Sequence, residues 1–166
     1  MFSKFVPERS FYRLRDIKPE LLHREGIRLL MLDFDNTIMA YTEHHEPDWV
    51  KPWLDSVRRE GIQVVVITNS RKSKAHHFCG MWNVPVISRA KKPSPKALEK
   101  ALQRFRVARE QCAMVGDQIF TDILAGNRAW VHAWLVKPIN NHHIFLKARY
   151  ALQKLILRIA KRGNGL

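Results

Sequence analysis

The chain has 166 residues, of which 46% are hydrophobic and 27% charged; that suffices for one packed domain without disulfide or metal staples and excludes a disordered or low-complexity chain. Its 29 Lys and Arg against 15 Asp and Glu leave a formal charge of +14, which calls for a polyanionic partner: a phosphorylated substrate, an anionic membrane surface or a nucleic acid. No apolar run approaches the roughly 18 residues of a spanning helix, the N-terminus lacks the apolar stretch of a signal peptide, and the isolated Cys79 and Cys112 form no zinc or disulfide pattern.

In chain order, residues 1–27 are basic and aromatic, with Phe2, Phe5, Phe11 and Tyr12 among Lys4, Arg9, Arg13 and Arg15. The run Arg28–Asp33 (RLLMLD) predicts a buried strand. Pro47–Glu60 follows as a helix, with Pro47 suited to its first turn and Gly61 to its end. Ile62–Thr68 is a second strand and Lys72–Trp82 a helix; Val84–Ser88 is a short strand and Ser94–Phe105 a helix. Cys112–Gly116, a helix over Thr121–Arg128 and a strand at Val131–Val136 complete the alternation. Residues of about 141–162 read as one amphipathic helix: Phe145, Ala148, Leu152, Leu155, Ile156 and Ile159 share a face, and Lys147, Arg149, Lys154, Arg158, Lys161 and Arg162 occupy the others. Such alternation predicts an α/β fold, a doubly wound and mainly parallel sheet with helices on both faces and its ligands beyond the carboxyl ends of the strands.

Those strand ends carry the chemistry. The first ends in Asp33-Phe34-Asp35-Asn36-Thr37, the second in Thr68-Asn69-Ser70, a later loop carries Lys92-Pro93-Ser94-Pro95, and the fourth strand ends in Gly116-Asp117-Gln118 with Asp122 beyond. Two carboxylates two residues apart can divide the work of nucleophile and proton shuttle. A third carboxylate can join them around a hard cation such as Mg²⁺, and a hydroxyl, an amide and a lysine can hold a phosphoryl group's oxygens.

In these four ordered motifs, LMLDFDNT, VVITNS, KKPSP and MVGDQIFTDILAGN, the sequence resembles the haloacid dehalogenase (HAD) superfamily of aspartate-nucleophile phosphatases. The flanks, with FVPERSF and the basic C-terminal segment, resemble its YqeG-like subclass IIIA, which includes phosphatidylglycerophosphate phosphatases. The resemblance implies one Rossmann-like HAD domain over residues 1–166. It implies Asp33 as the nucleophile, Asp35 as the general acid/base, and Thr68, Asn69 (through its backbone amide) and Lys92 as phosphoryl-binding groups. It also implies Mg²⁺ held by Asp33, Asp117 and the backbone carbonyl of Asp35, with Asp122 orienting Lys92 or a metal-bound water. Two alternatives stand at this level: Lys91 or Lys96 in place of Lys92, and Asp122 as a plain helix cap. The paired histidines (His44/His45, His76/His77, His142/His143) do not share a helix face and make no metal site.

Caps in this superfamily are inserted between the first and third motifs. Here Asp33 and Thr68 are 35 positions apart, and Thr68 and Lys92 are 24 apart, too few for a cap, so the site should be open. Residues 61–166 hold 19 basic and 4 acidic side chains. Cations with apolar and aromatic side chains at both termini suit interfacial binding. The reading is a cap-less, Mg²⁺-dependent phosphatase, peripheral on the cytoplasmic face of the membrane, converting phosphatidylglycerophosphate to phosphatidylglycerol. Its rivals are a phosphatase for soluble nucleotide or sugar phosphates and an RNA- or ribosome-binding protein that keeps the motifs as relics.

Overall fold

The computed structural model describes residues 3–71 and 73–140; the helix expected over about 141–162, and Phe2, lie outside them. Six strands form one all-parallel sheet: β1 (Arg9–Phe11), β2 (Leu29–Leu32), β3 (Gln63–Ile67), β4 (Val86–Ile87), β5 (Cys112–Gly116) and β6 (His132–Val136), in the order β1-β6-β5-β2-β3-β4. The helices are α1 (Pro19–Arg24), α2 (Val50–Arg59), α3 (Ser73–Met81), α4 (Lys96–Phe105) and α5 (Leu124–Ala129).

The apolar strand runs arise because both faces of the sheet are covered. Alternate residues of β2 serve two cores. Leu30 and Leu32 pack with Val64, Val66, Ala113 and Val115 beneath Leu54 and Val57 of α2 and Phe78 and Cys79 of α3. Leu29 and Met31 pack with Val65, Ile67, Cys112 and Met114 beneath Leu98 and Ala101 of α4 and Ala125 and Ala129 of α5. A one-residue slip of β2 would exchange the two sets, so the register is firmly specified. Because α2 and α3 are built into a core, the segments between the motifs leave no domain to roof the site.

Most boundaries fall within a few residues of the expectation. Gly61, with φ +74°, ends α2 in the left-handed region that glycine tolerates. The start of α5 differs more: a π-helical turn at Ile119–Ile123 precedes it, in place of a helix starting at Thr121. Both Asp122 and Ile123 donate their N–H to the Gln118 carbonyl, at 2.9 and 3.2 Å.

The N-terminal segment also differs. It contributes the edge strand β1, paired in parallel with β6, and the helix α1, which begins at Pro19. Two of its aromatic side chains turn inward. Phe5 meets Phe120 edge-on with centroids 5.9 Å apart, and Phe11 packs on Trp134 at 5.7 Å. Tyr12 stays exposed. Only part of the aromatic set read as interfacial is therefore free to leave the body.

Candidate active site

Register assembles the site. Leu32 lies opposite Val66 on one side and Val115 on the other, so the residues just past β2, β3 and β5 emerge side by side: Asp33, Thr68 and Asp117. The chain winds from β2 out to β3 and β4, then returns to β5 on the other side of β2. Asp33 and Asp117 flank that switch point, where an open α/β sheet forms its crevice. The crevice is an open cleft of about 330 Å³ lined by Asp33, Asp35, Tyr41, Thr68, Asn69, Ser70, Lys92, Gln118 and Thr121.

At its floor, the buried Lys92 ammonium contacts Asp33 Oδ1 at 2.8 Å, Asp122 Oδ1 at 2.7 Å and the Ile67 carbonyl at 2.7 Å. Three acceptors match the three ammonium protons, so any phosphoryl oxygen that meets Nζ must replace one of them. Lys91 and Lys96 are exposed, so of the three lysines it is Lys92 that reaches Asp33 and Asp122. Asp122 does more than cap: its Oδ2 accepts the Gln118 N–H at 3.1 Å while Oδ1 faces Lys92. Gly116 makes room for this carboxylate, since a Cβ there would stand 2.2 Å from Asp122 Oδ2.

Asp33 accepts a long hydrogen bond from the Thr37 hydroxyl at 3.4 Å. Burial raises its pKa from 3.8 to about 8; Lys92 opposes the rise, while Asp122 and Asp117 reinforce it. For Lys92, burial favours the neutral amine, but Asp122 and Asp33 outweigh it and the net shift is upward. Thr68 Oγ1 accepts the Ser70 N–H at 3.0 Å, which leaves its own proton to donate.

Carboxylate oxygens of Asp33, Asp117 and Asp122 lie within 4.8 Å of one another, all buried. Three carboxylates beside one lysine leave excess negative charge in a dry place, and a hard divalent cation fits that donor set. The Asp35 side chain is not in the cluster; it is half-buried at the cleft wall.

The Asn69 side chain has contacts of its own, apart from the backbone amide expected to meet the phosphoryl group. Its Oδ1 accepts the Lys92 N–H at 2.7 Å and its Nδ2 donates to the Lys92 carbonyl at 2.9 Å. The side chain thus clasps the loop that carries the lysine. Sequence reasoning missed this clasp, the space at Gly116, and the cleft-lining Tyr41, Gln118 and Thr121. Gly116, Gln118 and Thr121 lie inside the fourth motif, MVGDQIFTDILAGN, and are findable there; Tyr41 carries no such signal.

A family model described as haloacid dehalogenase-like hydrolase matches residues 19–129. The chain belongs to that family. It is an enzyme of the phosphatase kind. It is 28% identical over 162 residues to the probable phosphatase YqeG of Bacillus subtilis (strain 168), covering 96% of this chain and 94% of that protein. It is also 31% identical over 146 residues to the phosphatidylglycerophosphate phosphatase 1, chloroplastic/mitochondrial, of Arabidopsis thaliana, covering 81% of this chain but 41% of the relative, so the chain spans about two fifths of that protein's length. Among solved HAD-like folds, the 3-deoxy-D-manno-octulosonate 8-phosphate phosphatase of Moraxella catarrhalis, in complex with magnesium and phosphate ions, superposes with a TM-score of 0.51 at 17% identity, over 82% of this chain and 90% of that one. The cobalt-bound deoxy-D-mannose-octulosonate 8-phosphate phosphatase of Haemophilus influenzae gives 0.54 at 15% identity, over 81% and 89%. At such identities the likeness is one of fold.

Proposed function

We propose that the chain is a Mg²⁺-dependent phosphomonoesterase that works through an aspartyl-phosphate on Asp33 and dephosphorylates phosphatidylglycerophosphate at the cytoplasmic face of a membrane. The observation that carries the chemistry is the buried Lys92 bridge between Asp33 and Asp122 at the floor of an open cleft. Asp33, Asp117 and the Asp35 backbone carbonyl would hold the cation, with Asp122 a further carboxylate of the same cluster; the ion would neutralise charge on the carboxylates and on the phosphoryl oxygens.

In the first half-reaction the Asp33 carboxylate attacks phosphorus, the bond from phosphorus to the alcohol oxygen breaks, and Asp35 gives its proton to that oxygen. In the second, Asp35 takes a proton from water, the water oxygen attacks phosphorus, and the bond to Asp33 breaks to release inorganic phosphate. Thr68 donates its oriented hydroxyl to a phosphoryl oxygen, and the Asn69 backbone amide donates to another. Lys92 opposes the rise that burial imposes on the Asp33 pKa, and a bound cation would complete the ionisation of the nucleophile.

The lipid substrate is supported by the phosphatidylglycerophosphate phosphatase among the relatives and by a cleft that no cap domain roofs among the described residues. Exposed cations also border it: Arg71 follows Ser70 in the chain, Lys91 precedes Lys92, and Arg89 is tied to Ser70 by a 3.3 Å backbone bond. The test is phosphate release from phosphatidylglycerophosphate in mixed micelles, with Mg²⁺ or with EDTA, for the wild type and Asp33→Asn. Release that needs Mg²⁺ and falls at least ~10³-fold in the variant is expected. Hydrolysis of an aryl phosphate without release from the lipid would keep the chemistry and reject the substrate.

A further inference from the structure

A second cavity, of about 340 Å³, opens at the carboxyl ends of β1 and β6, on the same edge of the sheet as the active site. Thr37 links the two: it lines this cavity, and its hydroxyl donates to Asp33. We propose that this cavity is an accessory site for the phosphodiester headgroup of an anionic phospholipid, seating the enzyme on the bilayer with its cleft beside the surface. This inference rests on the membrane-surface reading above and adds a site that the catalytic chemistry does not use.

The ionisable groups that line the cavity, apart from the Tyr12 phenol, are three cations, Arg13, Arg15 and Lys137. Two of them share one ring: the Arg13 guanidinium lies 5.5 Å and Lys137 Nζ 4.4 Å from the Tyr12 centroid. Among the described residues, no carboxylate forms an ion pair with any of the three. Asp16, close by in the chain, accepts the Arg13 backbone N–H at 2.9 Å instead. Residues 141–166 contain no Asp or Glu side chain that could neutralise the cluster. Like charges gathered on one ring favour an anion between them, and guanidinium forks match phosphate oxygens.

The rim decides between a lipid and other anions. Ile139 and Tyr12 are 48% and 59% exposed beside the cations, an arrangement of apolar and aromatic groups with positive charge that suits the boundary between headgroups and acyl chains. From Ile139 the chain runs on within two residues into the 141–162 segment, whose sequence repeats the same pairing of apolar and basic residues.

The test uses the full chain and vesicles of equimolar phosphatidylglycerol and phosphatidylcholine, compared with phosphatidylcholine alone; neither lipid carries a monoester to hydrolyse, so the result does not depend on the substrate. Expected is preferential binding to the anionic vesicles, weakened about 100-fold in the triple variant Arg13→Ala/Arg15→Ala/Lys137→Ala, with aryl phosphate turnover and thermal midpoint unchanged. The variant Lys96→Ala/Lys100→Ala/Arg104→Ala, of equal charge on exposed α4 positions, should weaken binding less than about threefold if location matters more than total charge. Should the triple variant misfold, Lys137→Ala alone is expected to weaken binding about fivefold. Equal losses in the two triple variants, or no preference for anionic vesicles in the wild type, would overturn the proposal. So would inorganic phosphate or a single-stranded RNA oligonucleotide binding through the three cations while vesicles do not. If micellar phosphatidylglycerophosphate is not hydrolysed yet vesicle binding follows these expectations, the substrate assignment fails and the accessory site stands.

Discussion

Asn69 shows how one side chain can act on the chemistry without touching the substrate. It follows Thr68 at the end of β3, and its amide pairs with both backbone groups of Lys92. The Lys92 ammonium in turn contacts Asp33, Asp122 and the Ile67 carbonyl, so the loop is fastened at its backbone and at its tip. Removing the amide in Asn69→Ala loses two hydrogen bonds, worth about 1 kcal/mol each, and frees the loop to drift. A lysine displaced by even 1 Å lowers kcat about 100-fold. We expect Asn69→Ala to lower kcat for an aryl phosphate by about 10- to 100-fold with KM changed less than about threefold, measured by steady-state kinetics. Partial recovery in Asn69→Gln, which keeps the amide, separates positioning from simple destabilisation. A large rise in KM with kcat intact would instead assign the side chain to substrate binding.

The elements reveal which parts of the fold were legible in the sequence. Strands β2, β3 and β5 read clearly because burial on both faces leaves long apolar runs, and the reactive side chains follow directly at their ends. The strand β1 has three residues and none of them fully buried; an edge strand so short leaves no periodic signal, so RSF reads as loop. The start of α5 is not legible in the sequence, because a π-helical turn differs from an α-helix by its hydrogen bonds and not by its composition. That turn carries Asp122, and α5 behind it is fitted closely to the sheet. A Cβ on Gly126 would lie 3.0 Å from the Ala133 Cβ and 3.3 Å from the Met114 Cβ, so a side chain here must push α5 off β5 and β6. Gly126→Leu is expected to destabilise the protein by about 1–3 kcal/mol or more, read as a lowered denaturation midpoint in urea. Because the displaced helix continues from the turn holding Asp122, activity should fall further than the folded fraction does. Wild-type stability in this variant would show that the contact is slack.

At the scale of the whole molecule, the cost of gathering Asp33, Asp117 and Asp122 in one buried place makes stability depend on protons and cations. The Asp33 pKa is raised, first by burial, from 3.8 to about 8 in the cation-free protein. The folded state therefore holds a proton that the unfolded chain gives up between those values. By linkage this contribution favours folding at low pH, is lost as pH rises from about 4 to about 8, and is flat above that. A bound divalent cation replaces the proton and reverses the trend, adding about 2.7 kcal/mol at a hundred times its Kd. Three outcomes are expected in thermal melts. Mg²⁺ raises the wild-type midpoint, and EDTA returns it. The Mg²⁺ effect grows from pH 6 to pH 8, because the cation then competes with fewer protons. Asp33→Asn, which removes the buried charge but keeps the shape, raises the cation-free midpoint at pH 8 by about 2–4 °C for each kcal/mol relieved and loses most of the response to Mg²⁺. A midpoint indifferent to Mg²⁺ at pH 8 in the wild type would mean that the three carboxylates share protons and Lys92 alone, and the cation assignment would fall even if the enzyme were active. That readout does not involve turnover, so it separates what holds the site together from what the site does.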